Sequence, residues 1–200
     1  MVKVKICGLS RPRDIEIVNV AKPDFIGFVF AESRRRISWR QAQGLRSKLA
    51  PDIIPIGVFV DETIENILGL VQNGMIDMIQ LHGSEDEAYI QRIKALTDRP
   101  IIKAVSVGKK GDVQQWDGAS ADYLLLDHQG GGTGEKFDWD LIGETNKLYF
   151  LAGGLSPENV MAAIRSTAPF AVDASSGVET DGCKDPAKIT AFVRMVRYGR

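Results

Sequence analysis

Short apolar runs recur along the chain every 20 to 30 residues or so, and a stretch with helix-start signals and helical spacing of apolar positions follows each one. Eight runs stand out: Val2 to Cys7, Phe25 to Phe30, Ile54 to Val60, Met78 to Leu81, Ile101 to Val105, Tyr123 to Leu126, Leu148 to Ala152 and Phe170 to Asp173. The helical candidates between them are Arg13 to Ala21, Trp39 to Leu49, Ile64 to Asn73, Glu85 to Leu96, Gly111 to Gly118, Trp139 to Glu144, Pro157 to Ser166 and Pro186 to Arg197, with weak signals in the fifth and sixth. Ser38 reads as an N-cap before Trp39, and Ser156 as one with Pro157 at the first helical position. Runs that are apolar throughout belong to strands covered on both faces, which is the environment of a parallel sheet. Eightfold β/α alternation favours a closed TIM-type (β/α)8 barrel over an open doubly wound sheet.

The chain has 200 residues, enough for one sizeable core, and is read as a single domain over residues 1–200. Basic and acidic residues nearly balance, 25 against 26, so electrostatics give no reason to expect a nucleic acid or an anionic membrane as partner. The opening residues read as a strand, not a leader, and no apolar stretch approaches the roughly 20 residues of a membrane span; a soluble, cytoplasmic protein is expected. Two distant cysteines, Cys7 and Cys183, suggest neither a disulfide framework nor a zinc site. Oligomeric state is not legible, and monomer and homodimer both stay open.

A barrel carries its active site at the carboxyl ends of its strands, so the residues ending each run are the candidates. Asp127 ends the run Leu124 to Leu126 and leads into the glycine-rich stretch Gly130 to Gly134, an acid beside a possible anion nest. Gly153 and Gly154 follow the seventh run; Asp173, Ser175, Ser176 and Gly177 follow the eighth. Loops after these two strands commonly hold phosphate in such barrels, so a phosphorylated small molecule is the implied ligand. Cys7 is either a small buried hydrophobe or, given its place at the strand's mouth, a general base. One of Arg34, Arg35 and Arg36 could turn inward to pair with a substrate carboxylate, and His82 is either structural or substrate-facing. Cys183 reads as an incidental loop thiol.

Six segments in order carry a resemblance: KICGLSRPRDI at 5 to 15, GFVF followed by SRRRIS at 33 to 38, QLHG at 80 to 83, LLLD with GGTGEKFDW between 124 and 139, AGGLSPENV at 152 to 160, and VDASSGVE at 172 to 179. Over essentially its whole length the chain resembles the phosphoribosylanthranilate isomerase family of the tryptophan pathway. The resemblance implies a TIM barrel that turns N-(5-phosphoribosyl)anthranilate into 1-(2-carboxyphenylamino)-1-deoxyribulose 5-phosphate by an Amadori rearrangement, with no metal or organic cofactor. It implies that Asp127 is the general acid and Cys7 the general base. Arg35 would meet the anthranilate carboxylate, with His82 on the same side of the pocket. Gly132, Gly154, Ser175, Ser176 and Gly177 would bind the phosphate, and Asp173 would orient their loop by accepting hydrogen bonds from its donors. Competing readings are another sugar-phosphate isomerase or epimerase on the same barrel, and a phosphosugar sensor without turnover.

Overall fold

The computed structural model describes residues 1–128 and 138–199. Eight parallel strands close into a barrel in sequence order: β1 (Lys3–Cys7), β2 (Phe25–Val29), β3 (Ile54–Phe59), β4 (Met78–Leu81), β5 (Ile101–Val107), β6 (Tyr123–His128), β7 (Tyr149–Leu151) and β8 (Ala171–Ala174). Closure comes from β1 pairing with β8, which sets Lys5 opposite Asp173 and Ile6 opposite Ala174. Six helices cover the outside: α1 (Pro12–Ala21), α2 (Trp39–Arg46), α3 (Ile64–Gln72), α4 (Glu87–Lys94), α5 (Val160–Thr167) and α6 (Pro186–Tyr198). Among the described residues, no helix is long and apolar enough to cross a membrane.

The alternation of side chains along each strand creates two apolar layers. Val4, Ile6, Ile26 and Phe28 point outward and pack with helical residues such as Ile15, Val18 and Phe192. Phe25, Ile56, Met78, Ile102, Leu125, Phe150 and Ala171 form a separate inner cluster. Its lower end is a knot of rings, with Phe25 5.4 Å from Phe150 and Tyr123 5.0 Å from Phe170 between centroids. The strands are therefore apolar on both faces because both faces are buried, and the barrel has a solid floor.

The sequence places all eight strands, and the differences lie at their ends. The sixth strand continues through His128, so Asp127 stands within the ladder opposite Ser106 instead of beyond its end. The fifth and sixth helical candidates contain only short 3-10 turns, Gln114–Trp116 and Trp139–Leu141. Gly111, Asp112, Asp117, Gly118 and Gly143 are poor helix formers that crowd these segments. Ser38 caps α2 as expected, its hydroxyl accepting from the Gln41 N–H at 3.3 Å. α5 starts at Val160, not Pro157: the Asn159 side chain accepts from the Ser156 N–H and donates to the Gly154 carbonyl, holding 156–159 as a turn.

Candidate active site

Strand β1 brings Cys7 to the carboxyl end of the barrel, where its register partner on β2 is Gly27. A methyl group at position 27 would lie 2.6 Å from Cys7 Sγ, so the glycine supplies the space in which the thiol sits. The next residue, Gly8, has φ of +81°, a left-handed conformation open to glycine at little cost. A side chain there would also run into Cδ of Arg35, because Arg35 folds over this turn.

Of the three consecutive arginines, Arg35 is the one turned inward. Its side chain is 14% exposed, against 59% for Arg34 and 56% for Arg36, and Arg36 pairs with Glu32 at the surface. The Arg35 guanidinium binds Glu179 through two nitrogens, Nε to Oε1 at 2.7 Å and Nη2 to Oε2 at 2.9 Å. Arg34 adds a 2.7 Å bond to Oε2 and Lys184 a 2.7 Å bond to Oε1. Burial works against the Glu179 charge, but the hydrogen bonds from Arg35 and Lys184 prevail and hold its carboxyl at about 2.

Across the mouth, Asp127 on β6 faces His82, which follows β4. His82 Nε2 is 3.7 Å from Asp127 Oδ2, and the backbone N–H of His128 donates to Asp127 Oδ1 at 2.8 Å. The Gln80 side-chain amide meets His82 Nδ1 at 2.8 Å. With the amide nitrogen in that position, the ring proton sits on Nε2, toward Asp127. Burial pulls the His82 pKa below 6.5, although the nearby Asp127 charge pulls the other way, so the ring is neutral near pH 7.

Below these groups, Lys5 is fully buried and donates to Asp173 Oδ2 at 2.9 Å. This corrects the expectation for Asp173: its partner is an ammonium on the neighbouring strand, reached because the two residues share a register position, and not a donor from the following loop. The thiol of Cys7 is raised, chiefly by burial, with the Lys5 charge the largest opposing influence.

The loops after β7 and β8 form one edge of the site. Gly153 and Gly154 both have positive φ, and the 3-10 turn Ser176–Val178 follows Ser175. Ser175 Oγ donates to the Cys7 carbonyl at 3.1 Å, and Lys184 Nζ donates to the Ser175 carbonyl at 3.0 Å. The loop after β8 is thus tied to the strand that carries the thiol. Cys7, Arg35, His82, Asp127, Gly154, Asp173, Ser175, Ser176 and Gly177 all line one cavity of about 240 Å³, together with Gln80. Gly132 and the rest of Gly130 to Gly134 lie outside the described residues. A wider depression of about 720 Å³ near Lys147, Tyr149 and Phe170 lies at the amino ends of β7 and β8 and contains none of the candidates. Among the described residues no cluster of His, Cys, Asp and Glu could hold a metal ion.

Sequence reasoning missed four residues here: Lys5, Gln80, Glu179 and Lys184. Gln80 was visible as the one polar residue inside β4, and Lys5 as the second of two lysines alternating with apolar residues in β1. Lys184 lies on a small hairpin, β9 (Glu179–Thr180) with β10 (Cys183–Lys184), turned by Asp181 and Gly182, both at positive φ. An Asp-Gly pair between short strand-like dipeptides is a hairpin signal, and it sends Lys184 back to Glu179. Both cysteines are free thiols, Cys7 buried and Cys183 exposed.

A parallel eight-stranded barrel with an acid, a thiol and a glycine-lined cradle at its carboxyl end is a TIM-barrel enzyme. Comparison with known proteins narrows the class. The family model described as N-(5'-phosphoribosyl)anthranilate (PRA) isomerase matches residues 4–195, and the chain belongs to that family. It is an isomerase of tryptophan biosynthesis. The N-(5'-phosphoribosyl)anthranilate isomerase of Endomicrobium trichonymphae is 46% identical over 202 residues, covering 98% of this chain and 99% of that protein. The crystal structure of phosphoribosyl anthranilate isomerase from Thermus thermophilus superposes with a TM-score of 0.90 at 31% identity, covering 100% of both chains. A phosphoribosyl anthranilate isomerase in complex with reduced 1-(o-carboxyphenylamino)-1-deoxyribulose 5-phosphate superposes with a TM-score of 0.83 at 35% identity, covering 97% of both chains.

Proposed function

We propose that residues 1–200 act as one catalytic domain in which Asp127 and Cys7 carry out the rearrangement of N-(5-phosphoribosyl)anthranilate as an acid and base pair. The observation that carries this reading is that both side chains line the same cavity, with the anion loops at its edge. Asp127 gives a proton to the furanose ring oxygen as the bond from C1′ to that oxygen breaks, leaving a protonated imine. The positive imine acidifies the neighbouring C–H, and the Cys7 thiolate takes the C2′ proton. The electrons of that C–H bond form the C1′=C2′ double bond of an enolamine, which tautomerises to the ketone.

Arg35 binds the anthranilate carboxylate in this reading. Its fork is already aligned by Glu179, which uses Nε and Nη2 and leaves Nη1 outside that pair. The phosphate is held by Gly154, Ser175, Ser176 and Gly177, and the family resemblance adds Gly132, which lies outside the described residues. His82, neutral and aimed at Asp127, steadies the acid. The phosphorylated substrate is a small molecule that membranes retain, so the work is assigned to the cytoplasm.

The test follows the loss of the anthranilate fluorescence of freshly generated substrate under metal-free conditions, comparing the native chain with Cys7→Ala and Asp127→Asn. Each variant is expected to lose turnover severely while inorganic phosphate still binds. Undiminished turnover in either variant overturns its assigned role, and binding without turnover in the native chain reduces the protein to a sensor.

A further inference from the structure

Lys5 has no part in the mechanism above, yet it is the largest side chain that the barrel seals off completely. Taking an ammonium out of water is costly, and a leucine or methionine at such a position is often at least as stable. Lys5 and Cys7 are two residues apart on β1, so they share the inward face of the strand. Lys5 is anchored by Asp173, its register partner on β8, whose second oxygen, Oδ1, is buried without a hydrogen-bond partner among the described residues.

The other charged groups around the thiol are committed elsewhere. From the hairpin, Lys184 reaches the Cys7 neighbourhood but is paired with Glu179 at 2.7 Å. From the connection after β2, Arg35 is bound to the same carboxylate. From β6 and the end of β4, Asp127 and His82 face each other. Of these cations, Lys5 is the one that shares a strand face with the thiol, two residues before it on β1.

We infer that Lys5 is a positioning residue for the base: anchored by Asp173 on the strand face that carries Cys7, its ammonium offsets the cost of forming the thiolate that faces the substrate C2′. The inference rests on the assignment of Cys7 as base. In the step itself Lys5 keeps its proton; the sulfur goes from thiolate to thiol as it takes the C2′ hydrogen, and the C–H electrons pass to the enolamine. Burial and Asp173 both push the thiol up, and Lys5 is the largest influence in the other direction, which supports the same pairing.

The experiment uses a Cys183→Ser background, so that Cys7 is the one thiol, and reads two quantities against pH: the rate of Cys7 alkylation by iodoacetamide and kcat/KM. Lys5→Met is expected to move the alkylation profile upward by about one unit or more, a tenfold or greater loss of thiolate near neutral pH. Its kcat/KM falls in parallel and recovers toward the native value at high pH. Asp173→Asn is expected to move the alkylation profile the other way, because it removes a negative charge and leaves the ammonium. Opposite shifts from the two members of one ion pair cannot come from packing alone. Where Lys5→Met fails to fold because Asp173 is left buried and unpaired, the double variant Lys5→Met with Asp173→Asn removes both charges and is compared with Asp173→Asn; the upward shift is expected to persist. An unmoved profile, or shifts of the same sign in both single variants, overturns the inference. Full turnover in Cys7→Ala would instead overturn the base assignment, and the alkylation profiles would still decide whether Lys5 controls the thiol.

Discussion

Gly27→Ala tests the site through a residue that touches no substrate. The added methyl carbon would lie 2.6 Å from Cys7 Sγ, 3.1 Å from Cys7 Cα and 3.3 Å from Cys7 Cβ. Non-bonded heavy atoms settle at about 3.5 Å or more, so the sulfur has to move by roughly 1 Å. The backbone cannot absorb that movement easily, since Cys7 and Gly27 are register partners and the following N–H groups of Gly8 and Leu9 both bond to the Gly27 carbonyl. The thiol therefore turns away from its native position. A displacement of this size at a reacting atom costs about a hundredfold in rate, equal to about 2.7 kcal/mol of barrier, and overpacking destabilises the fold by about 1–3 kcal/mol. Steady-state fluorescence kinetics with a parallel thermal melt separates the two effects. The expected result is a folded enzyme with kcat down about a hundredfold and an unchanged inhibition constant for inorganic phosphate, because the anion loops belong to β7 and β8. A folded Gly27→Ala enzyme with kcat within a factor of about two of the native chain would refute the claim that Cys7 must stand where this glycine allows it.

Three further outcomes follow from the charged groups. Arg35→Lys replaces a two-pronged guanidinium with a point charge that cannot keep Glu179 and also meet a carboxylate; KM should rise about tenfold or more with a smaller change in kcat, and an unchanged KM in the fluorescence assay would remove Arg35 from substrate binding. The Glu179 carboxyl, at about 2 when folded against 4.5 as reference, contributes stability that is fully present above 4.5 and is lost as pH falls toward about 2. Urea melts across that window should show a shallower loss for Glu179→Gln than for the native chain, and parallel curves would contradict it. Burial lowers the His82 pKa below 6.5, so the unfolded chain takes up that proton first and stability is lost as pH falls below 6.5. A ring titration followed by NMR should show a midpoint below 6.5; a midpoint above it would contradict a neutral ring beside Asp127.

The barrel was legible because its strands are buried on both faces, and runs such as Tyr123 to Leu126 recur eight times at regular spacing with helical stretches between them. Helices were legible only where the chain favoured them locally. Ser38 and Gln41 cap α2 through their own side chains, whereas the start of α5 is decided by Asn159 bonding back to Gly154 and Ser156, a loop geometry with no periodic trace. The arginine triplet shows the same limit. Periodicity cannot say which of three adjacent guanidinium groups turns inward, because the choice is made by Glu179, 144 residues away from Arg35.

Strand parity explains both the success and the gaps at the site. Side chains two apart on a strand share a face, so each residue found at a strand end has a companion one layer deeper: Cys7 has Lys5, His82 has Gln80, and Ser175 has Asp173. A search along the ends of apolar runs finds the outer member of each pair, where polar residues begin, and of the inner members only Asp173, which closes the eighth run. Lys5 and Gln80 look like interruptions in their strands, and Lys5 acquires meaning only when closure brings β8 against β1 and sets Asp173 opposite it. In a barrel with an apolar floor, a polar residue on the inward face has no solvent to turn to, and it must answer either to its neighbour on the next strand or to the reactive group above it. Lys5 answers to Asp173 and shares its strand face with Cys7, and under the inference drawn above a lysine between Val4 and Ile6 is read as part of the active site, not as a defect in a strand.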